Sequence, residues 1–161
     1  MKPTWLAVAE EQIGTAEIPG PKSNSKIMAW AAKVRSWLGI DYTDDAVPWC
    51  GVFVAMCIQG AGYTPPKIAI RAKSWALFGE PLQDGILGAI LVFERPGGGH
   101  VGFYVSETST AYQVLGGNQS DKVGYTWIAK ARCVAIRWPH GAPKTKPVRF
   151  AQAGELSQNE A

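Results

Sequence analysis

The sequence lacks features that several protein classes require. No apolar run approaches the roughly 18 residues that a membrane-spanning helix needs. The formal net charge is only +3, which does not favour nucleic-acid binding but is compatible with an anionic polymer as partner. A chain of 161 residues that is 47% hydrophobic can bury one core. We therefore expect a single globular domain.

The N-terminal stretch MKPTWLAVAEEQIG also lacks the apolar block of a secretory signal, because Glu10 and Glu11 interrupt its apolar residues. We expect synthesis in the cytoplasm without a signal peptide. If the protein acts outside the cytoplasm, another route must release it.

Cysteine is scarce, and three residues cannot all pair in disulfides. In a helix, Cys50 and Cys57 are separated by about 10.5 Å of rise, whereas a disulfide needs roughly 4.4 to 6.8 Å between α-carbons. They are therefore not expected to bond to each other. Cys133, within the apolar segment RCVAIRW, is interpreted as a small buried hydrophobic residue.

Histidine is scarcer still, since only His100 and His140 are present. No close cluster of His, Cys and Asp offers the ligands that a catalytic zinc needs. Nucleophile-elbow, phosphate-binding and dinucleotide-binding motifs are also missing. We expect neither a metal nor an organic cofactor, which leaves Cys50 and His100 as the natural nucleophile and base.

Hydrophobic periodicity divides the chain into two halves. Helices are predicted for TWLAVAEEQIG, SKIMAWAAKVRSWLGI, WCGVFVAMCIQGAG and AKSWALFG. From residue 86, about five strands are predicted in ILGAILVFERP, HVGFYVSE, AYQVLGGN, VGYTWIAK and CVAIRWP. This order predicts an α+β fold with an antiparallel sheet. We expect a catalytic domain over residues 1–139 and a flexible tail over 140–161.

Cys50 follows Pro-Trp at the start of the third predicted helix. A thiol at a helix N-terminus is exposed to the positive end of the helix dipole, which favours thiolate. Cys57, two turns further along, receives no such benefit. The alternative for Cys50 is a buried packing residue at a helix start.

His100 and Asn118 flank a turn at ETST. A symmetric hairpin around that turn pairs His100 with Asn118, and Gly102 with Gly116. Asn118 would then accept the imidazole N–H and fix the tautomer of the ring. The paired glycines would leave room for the helix that begins at Cys50. Alternatively, His100 is a loop residue and Asn118 serves its own turn.

The segments PWCGVFV, GHVGFYV and VLGGNQ together resemble the CHAP and NlpC-like superfamily of papain-like cysteine hydrolases, which cut bacterial peptidoglycan. WLAVAEEQIGTAEIPG and NSKIMAW further resemble a subgroup common among phage and prophage lysis proteins. The resemblance spans about residues 4 to 139. One departure is Ala89, where many relatives carry aspartate after glycine.

This resemblance implies a papain-like fold with Cys50 as nucleophile, His100 as general base and Asn118 as orienting residue. It also implies peptidoglycan as partner, cleavage of an amide in the peptide stem, and action on the periplasmic wall after release by a holin or another route. We expect a monomer by default.

Five residues are the main candidates for contact with the substrate. The aromatic candidates Trp49, Tyr42, Trp75 and Tyr104 are of types that line grooves, although they are more often core residues. Asp45, together with Glu17 and Asp44, is a candidate to meet amines of a stem peptide, the alternative being a solvated acid.

Two other functions remain open at the level of the sequence. The same chemistry serves an amidase effector injected into rival bacteria. A wall-binding or virion structural module that retains the fold without catalysis would bind the wall but cut no bond.

Overall fold

The structure, a computed structural model, describes residues 1–160. Residue 161, the last of the predicted tail, lies outside the described residues. Helices occupy the first half of the chain, and one antiparallel sheet occupies the second half. The predicted α+β class with an antiparallel sheet is therefore confirmed.

The helices occur where the apolar periodicity predicts them, with one exception. They are α1 (Thr4–Glu11), α2 (Ser25–Lys33), α3 (Arg35–Leu38) and α4 (Cys50–Gly60), with short 3-10 helices at Ala72–Leu77 and Lys130–Arg132. None of the helices within residues 1–160 has the length and apolar character needed to cross a bilayer.

The exception is the second predicted helix, which the structure breaks into α2 and α3. Val34 separates them with φ −109° and ψ 13°. Valine is a weak helix former because its branched side chain is restricted beside the preceding turn. The break also lets carbonyls of α3 bond to the loop after α4, since Ala69 N donates to Trp37 O and Ile70 N to Leu38 O.

The sheet contains six strands where five were predicted. They are β1 (Glu80–Pro81), β2 (Ile90–Arg95), β3 (Gly98–Glu107), β4 (Ala111–Gln119), β5 (Lys122–Ala129) and β6 (Cys133–Trp138), in the order β1-β6-β2-β3-β4-β5. The additional strand, β1, has only two residues and pairs with the end of β6. A segment this short carries no alternation that a sequence pattern can detect.

Helix α4 lies in the centre of the core. Every residue from Cys50 to Ile58 is buried, as expected for a helix that is apolar on all sides. The buried surface thus extends around the whole helix. Gly117 of β4 permits the close approach, because a Cβ there would lie 2.7 Å from Phe53 Cβ and 2.8 Å from Trp49 Cζ3.

The segment predicted as a flexible tail is packed against the sheet. Glu107 N donates to Val148 O at 2.7 Å, and Phe150 N donates to Glu107 O at 2.7 Å. Further along, Ser157 N donates to Trp127 O at 2.8 Å. These backbone bonds attach the segment to β3 and β5, a pairing that its proline-rich and charged sequence did not predict.

Candidate active site

Cys50 is the first residue of α4, as the sequence predicted. Trp49 precedes it in a non-helical conformation, with φ −121°. Cys50 is 5% exposed, whereas Cys57, two turns further along, is completely buried. Of the two cysteines in this helix, Cys50 is therefore the less deeply buried.

The strands β3 and β4 separate beside Cys50. Their ladder includes Phe103 opposite Leu115 and Tyr104 opposite Val114, which is the predicted register. Before Phe103, β3 pairs only with β2, where Val92 lies opposite Val101. Here the amide of Val101 hydrogen-bonds to the Cys50 thiol. The N-terminus of α4 is thus positioned at the separation of the two strands.

His100 lies one residue before Val101 and is completely buried. Its Nε2 lies 2.9 Å from Oε1 of Gln119. The amide nitrogen of Gln119 donates to Val114 O at 3.1 Å and to Gly124 O at 2.6 Å. Because these two carbonyls fix the amide orientation, Oε1 accepts the hydrogen bond and His100 Nε2 carries the proton.

The second ring nitrogen of His100 is left available as a base. Nδ1 has no nitrogen or oxygen partner, and the ring interacts with the Cys50 thiol. Since Nε2 is bonded to Gln119, Nδ1 is the nitrogen that accepts the thiol proton.

The predicted partner of His100 was Asn118, and the structure replaces it with Gln119. A one-residue bulge in β4 explains the difference, since Gly116 pairs with Gly124 but Gln119 pairs with Lys122. Asn118 adopts φ +60° within the bulge. The extra residue reverses the alternation of side chains, so that Gln119 rather than Asn118 shares a face with His100.

The space beside Gly102 and Gly116 was predicted to hold the helix that begins at Cys50, but side chains of the sheet occupy it instead. A Cβ at Gly116 would lie 2.6 Å from Gln119 Oε1, and one at Gly102 would lie 2.4 Å from Val114 Cγ1. The space beside Gly116 is therefore filled by the Gln119 side chain, and the space beside Gly102 is filled by the Val114 side chain. Helix α4 makes its close approach at Gly117 instead.

The thiol and the imidazole shift each other's proton affinity. Burial acts to raise the pKa of Cys50, but His100, the Val101 amide and the charge of Arg95 outweigh it and lower that pKa. Burial likewise acts to lower the pKa of His100, but Cys50 and Gln119 raise it overall. Both shifts favour a thiolate–imidazolium pair. By contrast, burial alone raises the pKa of Cys57 well above its ordinary value.

Four of the five predicted substrate contacts are buried and bonded within the protein. Trp49, Trp75 and Tyr104 are fully buried and Asp45 is 1% exposed. Trp75 donates to Ala69 O, Tyr104 donates to Glu107, and Asp45 accepts bonds from the amides of the loop at residues 18 and 24. Because these four side chains are buried and bonded inside the protein, they stabilise the fold and offer no surface to a polymer.

Tyr42 is the fifth candidate and remains partly exposed. Its hydroxyl donates to Val47 O at 2.8 Å, and it lies within electrostatic range of Cys50 and Glu17. Glu17 in turn accepts a bond from Trp49 Nε1 at 3.1 Å. This side of the site is acidic.

Two open clefts adjoin on the same side and share Ile13 and Gly14. One is lined by Gln119 and the other by Glu17.

Sequence reasoning missed Gln119 and Arg95. Gln119 follows Asn118 directly in VLGGNQ, so a hairpin register shifted by one residue was the available signal. Arg95 precedes the Pro-Gly turn between β2 and β3. Arg95 bears on the site because its charge acts on the Cys50 thiol.

The arrangement combines a nucleophile, a base and a residue that orients the base, which is the chemical requirement for acyl transfer through a thioester. No protein-family model matches this chain, and no curated protein matches it significantly.

Proposed function

We propose that this protein is a cysteine amidohydrolase that cleaves an amide bond in the peptide stem of bacterial peptidoglycan. The observation that carries the proposal is the buried His100, held through Nε2 by Gln119 and directed at the thiol of Cys50. This arrangement supports acyl transfer, and the resemblance of PWCGVFV and GHVGFYV to wall hydrolases supports the substrate. We also propose that the chain is papain-like.

In the proposed reaction, the Cys50 thiolate attacks the amide carbonyl to form a tetrahedral oxyanion. The amide N–H of Cys50 lies at the start of α4, where it has no intrahelical partner, and it is placed to donate to that oxyanion. His100 then gives its Nδ1 proton to the departing amine. Water, with His100 as base, hydrolyses the thioester and regenerates the thiol.

In this proposal Gln119 takes the orienting role that the sequence predicted for Asn118. It positions His100 by accepting from Nε2, and the carbonyls of Val114 and Gly124 prevent its amide from reversing. Gln119 does not contact the reacting atoms.

We further propose that the protein is a phage or prophage endolysin that acts as a monomer. Its partner would be the periplasmic wall, reached after release by a holin or another route. The support for this role is the resemblance of the segments before Cys50 to those of lysis proteins.

The proposed function is tested by solubilisation of dye-labelled Gram-negative peptidoglycan. The wild-type protein and Cys57→Ala should both release dye, because Cys57 is a buried core thiol. Cys50→Ala should release none while retaining a native circular dichroism spectrum. Equal release by Cys50→Ala would contradict the proposal, and wall binding without release would favour a non-catalytic module.

A further inference from the structure

Arg95 is fixed at the turn that joins β2 to β3. Its Nε donates to Gly99 O at 3.0 Å, and its Nη1 donates to Pro96 O at 3.3 Å. The Nη2 atom lies over Gly98, where a Cβ would be 3.7 Å away. Backbone carbonyls thus hold the guanidinium in one place at the end of the hairpin.

This cation has no carboxylate partner. Among residues 1–160, no ion pair involves Arg95. A guanidinium has five N–H donors, and only Nε and Nη1 donate to the described part of the protein. Arg95 is partly exposed, so its unused donors are available to a ligand.

The position of Arg95 brings its charge close to the proposed nucleophile. The carbonyl that Nε contacts belongs to Gly99, the residue before His100, and the next amide, that of Val101, bonds to Cys50. The stem of Lys73 also lies against Gly99, at 3.2 Å from the position of a Cβ there. Arg95 and Lys73 thus both bring positive charge to the β2–β3 turn, whereas Glu160, which also acts on His100, is paired with Arg132.

Negative charge lies beside Trp49, the residue before Cys50. Glu17 bonds to Trp49, and Asp121 and Asp45 both act on Glu17. A substrate anion would be repelled on that side and attracted on the side of Arg95. The charge asymmetry therefore gives a bound substrate a preferred direction.

We propose that Arg95 binds a free carboxylate of the substrate next to the scissile amide and so determines specificity for acidic peptide stems. Guanidinium is the side chain best suited to a carboxylate, since its parallel N–H groups match the two oxygens. This inference rests on the proposed function, because it assumes that the substrate is cleaved at Cys50.

Kinetics with two soluble muropeptides test the inference. The peptides differ only in whether the α-carboxyl group of the second stem residue is free or amidated. Arg95→Gln should lower kcat/KM for the free acid about tenfold more than for the amidated peptide, and the difference should appear in KM; an ion pair worth about 1.4 kcal/mol gives this factor. A smaller loss common to both peptides is expected, because the charge of Arg95 also lowers the pKa of Cys50. Arg95→Lys should retain part of the preference.

Arg137 provides a matched control. It also donates to two backbone carbonyls, Phe78 O and Gly79 O, but it belongs to β6 and not to the turn between β2 and β3. Arg137→Gln should not change the preference between the two peptides. If Arg95→Gln lowered turnover of both peptides equally, Arg95 would act only on the Cys50 thiolate, and the inference would be overturned.

Calorimetry separates failure of this inference from failure of the proposed function. In a Cys50→Ala background, which cannot react, the free acid should bind more tightly than the amide, and adding Arg95→Gln should remove the difference. This result stands even if the wild type cleaves neither peptide. Equal affinities of the Cys50→Ala protein for the two peptides would overturn the inference whether or not the wild type is active.

Discussion

Gln119 Oε1 lies 2.9 Å from Nε2 of His100, and two carbonyls hold the Gln119 amide in the orientation that accepts this bond. The tautomer of His100 is thereby set by hydrogen bonds within the protein. The bulge in β4 makes this contact possible, because it turns residue 119 toward the ring in place of residue 118.

The first prediction concerns this contact. Gln119→Ala should lower kcat for peptidoglycan fragments by about 10- to 100-fold, since an unoriented base loses part of the roughly 10²- to 10⁴-fold that general base catalysis contributes. Asn118→Gly should change kcat little, because glycine tolerates the positive φ of this position. A larger loss in Asn118→Gly than in Gln119→Ala would restore Asn118 as the orienting residue.

The second prediction concerns the thiol. Alkylation of Cys50 by iodoacetamide, followed against pH by mass spectrometry, should show an inflection below the ordinary thiol pKa, because His100, Val101 and Arg95 together outweigh burial. In His100→Ala the inflection should move to higher pH. Cys57 should stay unmodified until the protein unfolds, since it is completely buried. An inflection unchanged by His100→Ala would rule out the pairing of the two residues.

The third prediction concerns the approach of α4 to the sheet. Gly117→Ala should destabilise the protein by about 1 to 3 kcal/mol, because its Cβ would overlap with Phe53 and Trp49. Gly124→Ala, on the neighbouring strand, is the control, since nothing lies within 4 Å of its Cβ position. Chemical denaturation measures both. Equal stability of the two variants would show that the helix does not contact β4 at this point.

The fourth prediction concerns the C-terminal segment. Burial acts to raise the pKa of Glu160, but hydrogen bonds from Arg132 and Ser157 lower it below its ordinary value. A carboxyl with a lowered folded-state pKa contributes stability above its unfolded-state pKa and loses it as the pH falls through the folded-state value. Protection of the Ser157 amide from hydrogen exchange should therefore decrease between about pH 5 and about pH 2.

A substitution provides the matching test at neutral pH. Arg132→Gln should reduce protection of the Ser157 amide, whereas Lys2→Gln, which breaks a surface pair with Glu10, should not. Protection that is independent of both pH and Arg132 would show that Glu160 does not hold the segment.

Local patterns in the sequence predicted those parts of the site that depend on neighbouring residues. The start of α4 at Cys50 follows from the Pro-Trp step before an apolar run, and Phe103 pairs with Leu115 in the predicted register, although the register nearer the turn is shifted between Tyr104 and Ser106. Both depend on residues close together along the chain, which is where periodicity is informative.

The parts that were not predicted depend on insertions or on distant contacts. A bulge adds one residue to a strand without changing its composition, so the alternation in VLGGNQ did not decide whether Asn118 or Gln119 would face His100. The burial of Trp75 and Tyr104 depends on elements far away in the chain. Aromatic spacing alone does not distinguish a groove from a core.

The measurement that most directly tests the central claim is mass spectrometry of the fragments released from purified Gram-negative peptidoglycan by the wild type and by Cys50→Ala. We predict fragments with new amine termini in the wild-type sample alone, with masses that identify the cleaved amide. Identical fragments in both samples, or new reducing sugar ends in place of amines, would contradict a cysteine amidohydrolase built on Cys50, His100 and Gln119.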